Sequence, residues 1–168
     1  PPEIVQYQVE RVHMLLHSEL GIADGLADEN VVVLDPCAGT GSYLLAVADR
    51  IHRTLLERGE GGQAAILTRQ ALLQRVFGFE LLTAPFVIAH LQLGQFLASM
   101  GLALEGEKRL PIYLTNALTG WEMQDAELQA ALESIRQRFP GLAGELTEAE
   151  RVKREAPIMV VLGNPPYN

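Results

Sequence analysis

Strands alternating with helices, four short apolar runs that end in turn-forming residues, and a glycine-rich break after the first run predict an α/β chain. Its expected architecture is a doubly wound parallel sheet with helices on both faces. Sheets of this kind meet ligands at the carboxyl ends of their strands. A length of 168 residues, 48% apolar and 20% charged, suits one globular domain with a real core.

Residues 1–20 predict a leading helix, because Val5, Val9, Val12 and Leu16 recur on one helical face. Pro2 and Glu3 suit its first turn, where a fixed φ and a carboxylate near the positive dipole end are both favourable. Residues 21–30 read as a polar turn. Val31-Val32-Val33-Leu34 is a β-branched run, apolar on both faces as in a central parallel strand. It ends in Asp35-Pro36-Cys37-Ala38-Gly39-Thr40-Gly41. A helical period resumes at Leu44, Val47, Ala48, Ile51 and Leu55 and is broken by residues 59–62. A further helix over about 63–75 precedes a strand over 76–79 closed by Glu80, and another helix covers about 84–100. Residues 112–115 form the third expected strand, followed by Asn116-Ala117-Leu118. The span 31–120 is therefore a run of βαβ units. Residues 121–157 read as a helical insertion, two solvated helices separated near Pro140-Gly141, with charges of alternating sign. Residues 158–168 hold a fourth strand and a turn, Gly163-Asn164-Pro165-Pro166-Tyr167.

Composition narrows the classes. No apolar run approaches the roughly 18 residues that a membrane helix needs. Pro1-Pro2-Glu3 has neither the basic start nor the apolar stretch of a signal peptide. The single cysteine, Cys37, excludes an internal disulfide framework and suits a reducing, cytoplasmic setting. A net charge of −8 opposes broad attraction to nucleic acid, so any grip on phosphates must be local or lie outside these residues.

Three turns carry candidate chemistry. In the first, Gly39 and Gly41 permit a tight turn and close backbone approach to a ligand, and the following helix opens with free N–H groups. A structural strand-to-helix turn would use the same residues. In the second, Glu80 can accept both hydroxyls of a ribose. In the third, Asn164 offers a side-chain oxygen and Pro165 a backbone carbonyl, held by consecutive prolines. Two acceptors placed out of the plane of a conjugated amine favour a pyramidal nitrogen with a directed lone pair. Tyr167 can stack on a flat base.

Val-Leu-Asp-Pro-Cys-Ala-Gly-Thr-Gly-Ser-Tyr-Leu, Phe-Gly-Phe-Glu-Leu and Asn-Pro-Pro-Tyr together resemble motifs of the N6-adenine-specific DNA methyltransferases. The opening Pro-Pro-Glu-Ile-Val is similar to the leading segment of their restriction-modification subset. The resemblance implies a Rossmann-like, S-adenosylmethionine-dependent methyltransferase fold, here truncated after the fourth strand. It implies that Asp35, Ala38, Gly39 and Gly41 surround the methionine part of the cofactor, with Pro36 also among the cofactor-binding residues. Glu80 would meet its ribose and Asn116 its adenine, with the adjoining Leu81 and Ala117 also among the cofactor-binding residues. Asn116 departs from the family, which usually carries aspartate there; a loop-capping role suits it as well. Asn164, Pro165, Pro166 and Tyr167 would form the catalytic turn, acting on a DNA adenine flipped out of the duplex. No metal is required, since the methyl group leaves a preformed cation. The family continues beyond this turn with more strands and a target-recognition domain. The chain is thus expected to be an inactive piece of a larger protein whose remainder completes the methyltransferase domain and can add nuclease or helicase domains. The same turn serves enzymes that methylate glutamine amides of release factors or ribosomal RNA bases, and a fragment that only binds the cofactor is a third reading.

Other residues invite blander readings. His13 and His17 have the spacing of metal ligands but lack a third, so a solvated helix face is expected. His52 and His90 read as structural, Cys37 as a small filler of a tight turn, and Trp121 as a pocket cover or a core plug.

Overall fold

The computed structural model describes residues 1–104, 109–118 and 140–166. Their elements, in chain order, are α1 (Pro2–Ser18), a 3-10 turn (Gly25–Ala27), β1 (Val33–Asp35), α2 (Ser42–Glu57), α3 (Ala64–Gln74) and β2 (Val76–Glu80). Then come α4 (Thr83–Ser99), β3 (Ile112–Leu114), α5 (Pro140–Glu155) and β4 (Val160–Val161). All four strands are parallel, in the order β3-β2-β1-β4. The parallel sheet expected from the alternation of elements is present, with β1 and β2 central.

One face of the sheet, with Val33, Val76, Ile112 and Val160, packs beneath α1, α2, α3 and α4 in a single apolar cluster. The other face, with Val32, Leu34, Phe77, Phe79 and Tyr113, is covered by Ala149 and Val152 of α5. Helices on both faces make the sheet doubly wound. They also correct one expectation: α5 is not a solvated helix, because Ala149 and Val152 are fully buried. The first of the two helices expected near Pro140 lies outside the described residues.

Two strands are offset from their apolar runs for a local reason. The Val31 amide donates to Asp28 C=O at 3.2 Å, so the turn consumes it and the β1 ladder begins at Val33 and extends through Asp35. Likewise the Ile158 amide donates to Ala156 C=O, and the paired part of β4 is Val160–Val161.

Arg75, at the end of α3, locks the frame below the strands. Its guanidinium is buried and donates to Leu26, Ala27 and Val31 carbonyls, each at 3.0 Å. Five donors in a planar fork suit that task. His13 is likewise structural: its Nδ1 accepts the Leu26 amide at 3.2 Å. Burial and the nearby Arg50 lower its pKa, consistent with a neutral acceptor ring rather than a solvated one. Among the described residues no helix is long and apolar enough to cross a membrane.

Candidate functional site

The carboxyl ends of β1, β2 and β4 lie side by side, and three of the turns singled out by sequence start there. After β1, the chain folds back at once: Ala38 N–H donates to Phe79 C=O and Gly41 N–H to Ala38 C=O, both at 2.8 Å. Gly39 and Gly41 take φ of +55° and +87°, which residues with a Cβ rarely adopt. At Gly41 a Cβ would also stand 3.1 Å from Ala89 and Leu93 of α4. Gly41 thus lets α2 start hard against α4.

Two carboxyl groups shape this turn. Glu80, at the end of β2, accepts Gly39 N–H at 2.7 Å with one oxygen and Leu82 N–H at 2.8 Å with the other. It therefore fixes the glycine turn to the neighbouring strand. A carboxylate offers about four lone-pair sites, so hydroxyl donors can still be accepted. Asp35 is only 1% exposed. Its Oδ1 accepts Cys37 N–H at 3.0 Å, whereas its Oδ2 is buried and finds no hydrogen-bond partner among the described residues. Burial pushes its pKa up to about 7, the Cys37 hydrogen bond partly opposing and the Glu80 charge adding to the rise. Burial, and after it the charges of the same two acids, raise the Cys37 thiol, which keeps it a poor nucleophile.

After β4, Leu162 N–H donates to Leu34 C=O at 3.0 Å and Gly163 then passes directly over Asp35. Asn164, Pro165 and Pro166 follow as an exposed turn. The glycine turn and the Asn164–Pro166 segment leave adjacent parallel strands, with Asp35 between them. Tyr167, like Trp121, lies outside the described residues.

The third strand is less direct. Asn116 Oδ1 accepts Leu118 N–H at 2.9 Å, so its side chain caps its own loop. Its carbonyl and the Thr115 hydroxyl accept from Lys153 Nζ at 2.7 and 3.0 Å, and that ammonium sits 5.3 Å from the Phe79 ring centroid. Ala117 is partly buried in the second core cluster, Leu81 is 64% exposed, and Pro36 and Ala38 line the start of the glycine turn. Lys153 was not foreseen, because it sits in a run of alternating charges; the cue was the apolar Ala149, Val152 and Ala156 stripe beside it. A separate groove of about 560 Å³ lies between α1, α2 and α4 and includes Ser42, but none of Asp35, Gly39, Glu80 or Asn164 lines it.

Among solved structures, the whole chain superposes on part of a nuclease-deletion mutant of the Type ISP restriction-modification enzyme LlaGI in complex with a DNA substrate mimic (TM-score 0.75, 22% identity, 12% of that chain). It matches equally fully a segment of the ATP-dependent Type ISP restriction-modification enzyme LlaBIII bound to DNA (0.74, 22%, 10%). A third match is the DrdV–DNA complex (0.70, 25%, 14%). The chain shares its fold with segments of restriction-modification enzymes. It spans a small fraction, at most 14%, of each of these structural neighbours. No protein-family model matches it, and no curated protein does.

Proposed function

We propose that the chain is the cofactor-binding part of a DNA methyltransferase domain that methylates the N6 amine of adenine, within a larger restriction-modification protein. The observation that carries this reading is the pairing of the glycine turn and the Asn-Pro-Pro turn at the ends of adjacent parallel strands, with a buried carboxyl group between them. The DNA-bound neighbours favour DNA over a protein amide or RNA as the substrate.

The residues fit S-adenosylmethionine. The orphaned Oδ2 of Asp35 suits an ammonium donor, Gly39 and Gly41 leave a side-chain-free cradle, and Glu80 retains lone pairs for ribose hydroxyls. When bound, the cofactor supplies an electrophilic methyl group on a sulfonium. The chain's own part is orientation rather than acid–base chemistry. Asn164 Oδ1 and the Pro165 carbonyl would accept the two hydrogens of the adenine amine, and the adjoining Pro166 stiffens their spacing. Tyr167 would stack on a base swung out of the duplex. With a net charge of −8, the chain would leave most phosphate contacts to other parts of the protein, where target-recognition, nuclease or helicase domains would also reside.

The test is mass spectrometry of nucleosides from duplex DNA incubated with the full-length protein and S-adenosylmethionine, paired with calorimetry of cofactor binding. N6-methyladenine should form with wild type. Asn164→Ala should lower transfer by at least about 100-fold, or about 2.7 kcal/mol of transition-state stabilisation, with cofactor affinity within about threefold. Transfer that survives Asn164→Ala would contradict the assigned role.

A further inference from the structure

Gly163 lacks a side chain for a reason that its torsions do not supply. It is not among the residues with positive φ, so a left-handed backbone is not what calls for glycine there. The constraint is space. A Cβ built there would collide with Asp35 Oδ1, and would stand 3.3 Å from both Asp35 Cγ and Pro36 Cδ. Asp35 has little freedom to withdraw: it is 1% exposed, and the threatened oxygen is the one held by Cys37 N–H at 3.0 Å. Pro36 is a ring fixed to the backbone. On the other side, Leu162 N–H pins the end of β4 to Leu34 C=O, and the chain beyond Gly163 is exposed from Asn164 to Pro166.

Resting on the functional reading above, we propose that Gly163 and Asp35 act as a steric stop: their contact sets how closely the Asn164–Pro165 acceptors approach the glycine turn. They are positioning residues for the transfer step. One carboxyl group thereby touches both halves of the site, closing against the catalytic turn with Oδ1 and leaving Oδ2 for the cofactor side. Adding one methyl group at residue 163 pushes the turn outward, and displacements of about 1 Å at a reacting centre can cost around 100-fold in rate.

The experiment is a double-mutant cycle in the full-length protein, with methyl transfer to duplex DNA followed at saturating S-adenosylmethionine. Gly163→Ala should lower kcat by roughly 100-fold with little change in cofactor affinity or DNA KM. In an Asp35→Ser background, where the smaller side chain vacates the Oδ1 position, the same alanine should cost less than about tenfold. Wild-type kcat in Gly163→Ala, or an equal loss in both backgrounds, overturns the stop. If Gly163→Ala fails to fold, recovery of folding in the double variant supports the contact, and failure of both overturns it. A wild-type protein that transfers no methyl group sinks the functional reading and this inference together; an active wild type with a tolerant Gly163→Ala sinks the inference alone.

Discussion

Asp35 concentrates the cost of this site in a single side chain. A carboxyl group whose pKa is about 7 in the fold and 3.8 ordinarily holds its proton more tightly folded than unfolded. The sign follows: its contribution to stability is full below about pH 4, declines as pH rises toward 7, and is absent above. The span corresponds to roughly 4 kcal/mol. Asp35→Asn removes the ionisation, so urea midpoints of the variant should fall less than those of wild type between pH 5 and pH 8. Identical slopes would mean that Asp35 does not titrate in that window. A cationic ligand reverses the cost by pairing the carboxylate, so stabilisation by S-adenosylmethionine should grow from pH 6 to pH 8 in wild type and stay flat in the variant. Much of this residue's importance was legible in sequence, since an acid ending a buried run before two glycines is placed by the run itself. Its orphaned oxygen and its contact with Gly163 were not, because they depend on a strand more than a hundred residues downstream.

Among the elements, the sheet holds its turns in register through a few long-range ties. Arg75 fastens the 3-10 turn and the approach to β1 from 44 to 49 residues away. Arg75→Met should lower stability by about 2–4 kcal/mol, since three buried carbonyls lose a charged donor, with a matching fall in Tm by calorimetry. An unchanged Tm would show that water replaces the guanidinium without loss. Lys153 does the corresponding work on the opposite face, joining α5 to the end of β3 across 37 and 38 residues. Lys153→Met should therefore weaken cofactor affinity severalfold through the loop at Asn116, while Lys153→Arg restores part of it; equal affinity in all three proteins would detach that loop from the site. Periodicity points to the helices and to the strands that alternate with them, because those signals are local. It misread α5 as solvated: Ala149 and Val152 are small apolar residues in a charged run, and only the sheet face they cover explains them.

On the scale of the molecule, four parallel strands and two helical layers gather the turns after β1, β2 and β4 at one rim, and the fold is shared with segments of DNA-bound restriction-modification enzymes. β4 is an outer strand of the described sheet; Met159 just before it and Val161 within it are 47% and 65% exposed. The acidic chain and its small share of each neighbour's length fit the proposed reading, in which cofactor chemistry would sit here and DNA would be held elsewhere. The most direct measurement is hydrogen–deuterium exchange of the full-length protein with and without S-adenosylmethionine. Peptides spanning 38–42 and 160–164 should gain protection together, at the same ligand concentration. Protection of one turn without the other, or protection confined to the groove between α1, α2 and α4, would contradict a shared crevice.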